Sequence, residues 1–194
     1  MSSNKMNTKD LILAGAFIAL YVVALSVIVT IFGFIPVTYL MVPFFLPICM
    51  SPIFALYVTK VPRFGAILAL GIAVTLVANM TGGVLGIVCS IAAVVVAELI
   101  AKSGNYQSKK KYAMAYFSFA FTNIGPFWSL VVAKDSMINA CATFYGQEYA
   151  DQLASLTPSW IIFVFIGMVV VGAIIGNIFA PKVMKKHFEK AGII

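Results

Sequence analysis

The feature that most constrains this chain is a series of apolar runs, each about as long as a lipid bilayer is thick. The first runs from Leu11 to Phe32, interrupted only by hydroxyl-bearing Ser26, Thr30 and the phenol of Tyr21. A helix crossing the hydrocarbon core needs roughly 20 such residues. By that measure six segments qualify: residues 11–32, 36–59, 64–80, 82–101, 112–133 and 160–180. The chain is 62% hydrophobic and 10% charged. A soluble domain holds roughly 45–50% apolar and about 25% charged residues. The expected fold is therefore an all-α membrane bundle of six transmembrane helices in one domain over residues 1–194. In the second segment Pro43, Pro47 and Pro52 predict a kinked or broken helix.

A secretory leader is the competing reading of the N-terminus, since Lys5 and Lys9 precede the first run. Its apolar core would be about 7–15 residues, shorter than residues 11–32, so a retained first helix is expected. The net charge of +7 does not point to nucleic acid, because the basic residues segregate. With both termini cytoplasmic, all but one of the 13 Lys and Arg fall inside, and Lys134 alone lies outside. The two other outer connections are then short, near residues 33–35 and 81–83. Residues 134–159 form the only sizeable extracellular loop. It carries Asp135, Glu148 and Asp151, three of the six acidic residues, and its stretch 142–155 predicts a short surface helix.

Small residues mark where helices approach closely in lipid. Gly15 with Ala19, the ladder Gly65, Ala69 and Ala73, the pair Gly82 and Gly86, and the pair Gly172 and Gly176 all have this spacing. Bundle packing is the plainer explanation. The smooth patch of Ala14, Gly15, Ala16 and Ala19 is the best candidate for docking to another membrane protein. Among intramembrane polar groups, Glu98 lies one turn from Lys102 and predicts a pair near the inner surface, and Asn177 predicts a hydrogen bond within the bundle. Asn79, Met80, Thr81, Asn123 and Trp128 fall in the outer halves of their helices. With Lys134, Tyr145, Gln147, Glu148 and Trp160 they form the candidate substrate-binding set. Anchoring at the lipid–water interface is the competing role for Trp160.

The absent motifs narrow the function. No GxxxxGK[ST], GxSxG or HExxH is present. No intramembrane carboxylate pair exists for a proton relay or ion site. Cys49, Cys89 and Cys141 form no CxxC, and the single histidine, His187, lies in the basic C-terminal tail. No catalytic residue, cofactor or metal site is expected, only a small bundle that binds something and lacks its own energy source.

Four segments carry a family resemblance: MNTKDLILAGAFIALY near the start, KSGNY at 102–106, YGQEYADQLASLTPSW at 145–160 and KKHFEKAGII at the end. The chain resembles the Trep_Strep family of bacterial integral membrane proteins, grouped with the S components of energy-coupling factor (ECF) transporters. The resemblance implies a substrate-capture subunit in the bacterial cell membrane. Such a subunit takes up a micronutrient from outside and docks on one transmembrane T protein and two ABC-type ATPases. Docking would map onto Ala14, Gly15, Ala16 and Ala19, with GxxxA here in place of AxxxA. The loop 134–159 would serve as a lid, with Gly146 as its hinge. A vitamin-like heteroaromatic suits Trp128, Trp160 and Tyr145. Haem is the other substrate considered, with Met80, Tyr145, Met137 or Cys141 as axial ligand and Lys134 for a propionate. Nickel and cobalt are disfavoured by the lack of outer histidines. A membrane assembly factor and a self-sufficient secondary transporter remain as alternatives.

Overall fold

A computed structural model describes residues 6–79 and 83–185. Every regular element in them is helical: α1 (Thr8–Gly33), α2 (Pro36–Leu40), α3 (Val42–Lys60), α4 (Ala66–Ala78), α5 (Gly83–Ser103), α6 (Lys109–Phe119), a 3-10 segment (Ala120–Trp128), α7 (Ser129–Val132), α8 (Lys134–Tyr145), α9 (Gln147–Leu156) and α10 (Ile161–Val183). In hydrocarbon only structures that satisfy their own backbone can cross, and helices do this segment by segment. Among the described residues, α1, α3, α5 and α10 are each long and apolar enough to span a membrane.

Two of the six expected segments differ from a single straight helix. Residues 36–59 divide at Met41, with Pro36 and Pro43 each in the first turn of the helix that follows. A proline there lacks only an N–H that has no helical partner in any case. Residues 112–133 form one helical rod that tightens to 3-10 winding over Ala120–Trp128, around Pro126. A third, α4, has 13 residues and rises about 20 Å at 1.5 Å per residue, short of the roughly 30 Å core. Met80 and Thr81 lie outside the described residues.

The centre of the bundle is the crossing of α10 over α3. Gly172 and Gly176 lie directly on the α3 backbone. A Cβ on Gly172 would sit 2.4 Å from the Phe44 carbonyl oxygen, and one on Gly176 would sit 2.8 Å from that of Pro47. Prolines 47 and 52 lie inside α3 and remove the N–H groups that the carbonyls of Pro43 and Ile48 would otherwise accept from. The Tyr116 hydroxyl donates to the Pro47 carbonyl, and the Asn177 amide donates to the Ala113 carbonyl at 2.9 Å. Phe54, Phe119, Tyr116 and Tyr21 fill the space behind in tilted and edge-on contacts. A second close crossing sets Gly86 of α5 against the Gly125 carbonyl, where a Cβ would lie 2.4 Å away.

The end of the bundle that holds the start of α1 is organised by charge. Asn7 and Asp10 cap α1 reciprocally, at 2.8 and 3.1 Å, and Asp10 also pairs with Arg63 at 3.3 Å. Glu98 does not pair with Lys102 as its spacing predicts. Its carboxylate, 2% exposed, accepts from Gly65 N at 3.0 Å, Leu68 N at 3.1 Å and the Tyr106 hydroxyl at 2.7 Å. It thus caps the N-terminus of α4, where a negative charge is favoured. The Lys102 ammonium instead lies 5.4 Å from the centroid of the Phe64 ring. Gly65, expected in a packing ladder, is the N-cap of α4 with φ +87°, the left-handed region glycine adopts without strain.

Replacing Gly172 with Ala is expected to destabilise the protein by about 1–3 kcal/mol, the usual cost of overpacking a core. Gly15→Ala is the control, since a Cβ there would meet nothing within 4 Å. Thermal unfolding in detergent reads both; equal midpoints would contradict the assigned crossing.

Candidate functional site

The loop expected over residues 134–159 is a pair of helices, α8 and α9, joined at Gly146. The break there replaces the single helix expected over 142–155. Gly146 has φ +93° and ψ +162°, a conformation essentially confined to glycine. Met137 and Cys141 on α8, with Ala150 and Leu153 on α9, turn inward, while Asp135, Glu148 and Asp151 face out. The Lys134 ammonium donates to the carbonyls of Ala154 at 2.8 Å and Thr157 at 2.6 Å. It thereby ties the start of α8 to the end of α9 and satisfies carbonyls that a helix C-terminus leaves without partners. With both arms tied, Gly146 is a fixed turn inside the lid and not its hinge.

Beneath this lid lies a cavity of about 570 Å³, within the roughly 300–1,000 Å³ typical of small-molecule sites. The C-terminal half of α1 contributes Ser26, Val29 and Thr30; α2 contributes Tyr39; the 3-10 segment contributes Asn123 and Phe127. The lid supplies Met137, Cys141, Phe144, Tyr145 and Tyr149. Two aromatic pairs stand in the wall: Tyr39 stacks on Phe127 at 5.1 Å, and Tyr145 on Tyr149 at 4.7 Å. Among the described residues, no Lys, Arg, Asp, Glu or His lines it. Burial pushes the Tyr149 hydroxyl up to about 12, with smaller contributions from Cys141 and Tyr145. Burial likewise raises the Cys141 thiol above its ordinary value. Both groups therefore stay protonated at neutral pH, and the lid side of the wall carries no charge.

Of the ten residues expected to bind substrate, Asn123 and Tyr145 line this cavity. Asn123 is 3% exposed, and neither its side-chain nitrogen nor its oxygen has a hydrogen-bond partner. Met80 and Thr81 lie outside the described residues, and the remaining six are elsewhere. Asn79 lies behind the wall, donating to Ser90 Oγ at 3.2 Å and packed against Gly125 and Gly86, so its role is to join helices. Trp128 lines a separate, smaller recess of about 380 Å³ with Cys89, Phe121 and Ile166. Gln147 and Glu148 are exposed and bond along α9, to Asp151 at 2.8 Å and from Gln152 at 3.4 Å. Trp160 is 61% exposed, as an interfacial anchor would be. Lys134 is committed to the lid.

Tyr39 and Phe127 are wall residues that the candidate binding set lacks; they lie within apolar segments where rings ordinarily pack. Met137 and Cys141 are expected only as haem axial ligands and Tyr149 only as a ring of the lid; helices α8 and α9 bring all three into the cavity wall. Among the described residues no group of three or more His, Cys, Asp or Glu could hold a metal ion.

Long apolar helices, close glycine crossings and charges confined to helix ends define a helical, multi-pass integral membrane protein. Residues 8–190 match the model of a family described as hypothetical bacterial integral membrane protein (Trep_Strep). The chain belongs to that family. No curated protein and no solved structure matches it.

Gly146→Ala should cost the lid about 1–3 kcal/mol through backbone strain, because the added methyl would meet nothing within 4 Å. Hydrogen exchange across residues 134–156 should quicken while that of α3 and α10 holds. Unchanged exchange in the lid would show that the turn does not depend on glycine.

Proposed function

We propose that this chain is the substrate-capture subunit, or S component, of an ECF-type importer in the bacterial cell membrane. The observation that carries the reading is the cavity of about 570 Å³ closed on one side by a tied helical lid. It belongs to a chain whose sequence holds no nucleotide-binding loop and no intramembrane carboxylate pair. Such a chain can select a molecule but needs a motor from elsewhere. In this reading a T protein and two ABC-type ATPases supply it, and this subunit performs no chemistry itself.

The same reading gives six crossings: α1, α3, α4, α5, the rod from Lys109 to Val132, and α10. The basic inner connections stay in the cytoplasm and the lid faces outside, as the distribution of Lys and Arg favours. Docking uses α1, the span with the smallest buried share. Gly15, Ala16 and Ala19 are exposed there, whereas Ala14 is 3% exposed and turned into the bundle. The docking face is thus three residues and not four. The cargo is a micronutrient, with a vitamin-like heteroaromatic suited to the stacked rings. Haem is the second reading. It is favoured by Met137, Cys141 and Tyr145, axial-ligand types that all line the cavity, and disfavoured by the lack of a cation there for its propionates.

Replacing Gly15 and Ala19 together with Leu should abolish co-purification of the ATPases and uptake in cells, leaving the protein folded. Unimpaired uptake would remove the docking assignment. Wild-type protein purified in mild detergent should carry a small molecule identifiable by mass spectrometry. A Soret band would select haem. An empty protein that captures no ATPases would favour an assembly factor, and ion-coupled uptake by this chain alone in proteoliposomes would favour a secondary transporter.

A further inference from the structure

Several buried polar atoms lack partners: Tyr21 Oη, Thr75 Oγ1, Asn79 Oδ1, Thr122 Oγ1 and both ends of the Asn123 amide. Of these residues only Asn123 lines the cavity. A buried amide with neither its donor nor its acceptor satisfied is costly, and such exceptions call for an explanation. Asn123 also sits where helical winding tightens to 3-10, in a stretch held from behind by the Gly86–Gly125 approach. The backbone that presents it is therefore fixed.

We infer that the cavity takes an uncharged planar molecule bearing an amide-type edge, an N–H beside a C=O, which pairs with the Asn123 carboxamide in two antiparallel hydrogen bonds. This rests on the reading of the cavity as the substrate site and narrows its ligand class. Three features of the wall converge on it. A carboxamide offers one donor and one acceptor side by side. A ligand carboxylate could use only the donor and would face the Asn123 oxygen, and an ammonium could use only the acceptor. A lactam or primary amide uses both. Next, among the described residues the wall holds no ionised side chain, so a charged ligand would lose hydration without compensation. Lys134, at the start of α8, is spent on Ala154 and Thr157. Lastly, the pairs Tyr39–Phe127 and Tyr145–Tyr149 offer ring faces, which accept flat molecules in offset or edge-on contact. A molecule that reproduces both hydrogen bonds offsets the cost of the unpaired amide, and one that cannot loses affinity.

The test uses the purified full-length chain with Cys49→Ala and Cys89→Ala, leaving Cys141 in the cavity wall as reporter. The rate of Cys141 modification by a methanethiosulfonate reagent is measured against four probes of one shape. These are isoquinolin-1-one, its N-methyl derivative, isoquinoline-1-carboxylate and naphthalene. The lactam should protect Cys141 at a concentration about tenfold lower than the N-methyl compound, the loss of one hydrogen bond to a buried partner. Carboxylate and naphthalene should protect more weakly still. Asn123→Leu should erase the lactam's advantage while leaving its midpoint of thermal unfolding no lower than that of the parent, since it removes an unpaired amide. Equal protection by lactam and N-methyl lactam, strongest protection by the carboxylate, or a preference that survives Asn123→Leu would overturn the amide-edge assignment alone. Protection by none of the four would instead overturn the reading of this cavity as a site for compact heterocycles.

Discussion

The rest of the bundle depends on the close approach of α10 to α3. In lipid no hydrophobic force draws apolar helices together, so contact must come from packing and from polar groups that find partners. Gly172 and Gly176 let the α10 backbone settle onto carbonyls of a helix loosened by two internal prolines. Tyr116 satisfies the Pro47 carbonyl from a third helix. A proline-bearing α3 would be a weakness in isolation; here its irregular backbone is the surface on which two neighbours are positioned. The aromatic core around Phe54 and Phe119 fills against that fixed seam.

A second economy concerns charge. The ionised groups that organise the bundle and its lid meet helix ends. Asp10 completes a cap and meets Arg63, Glu98 caps α4 from a neighbouring helix, and Lys134 closes the lid. Helix ends are where backbone donors and acceptors go unpaired, so each side chain both satisfies the backbone and has its own charge accommodated. The middle of the bundle is left uncharged, which is what allows the cavity to have a neutral wall.

Much of this was legible from residue patterns. The spans α1, α5 and α10 follow from the length of their apolar runs, and the prolines of residues 36–59 announced a break, which falls at Met41. The pair Gly172 and Gly176 announced a crossing. What could not be read were partners distant in sequence. Glu98 has Lys102 one turn away, but backbone N–H groups some thirty positions earlier compete better for it because they are otherwise unpaired. Asn79 and Asn123 are the same residue type at similar depth. One has Ser90 across the interface and the other opens into the cavity, a difference no local pattern encodes. Trp128 and Asn123 lie on the same rod, but 3-10 winding, closer to three residues per turn, changes which face each presents. The two-helix form of the lid was hidden because its polar composition imitates a solvated loop, while its inward residues are only a few per helix.

The tie from Lys134 to Ala154 and Thr157 also has a kinetic meaning. It joins the two ends of the helical pair, so residues 134–157 form a closed ring of structure that need not unravel for the cavity to open. Flexing is left to the joints on either side, Ala133 with φ −131° and ψ 44° and Thr157 with φ −118° and ψ 70°, where the backbone has already left the helix. If the cavity binds cargo as proposed, a cover hung this way would swing as one plate. Admission would then be a two-position event, open or shut, whose frequency is set at the joints and not by the stability of the helices that form the plate.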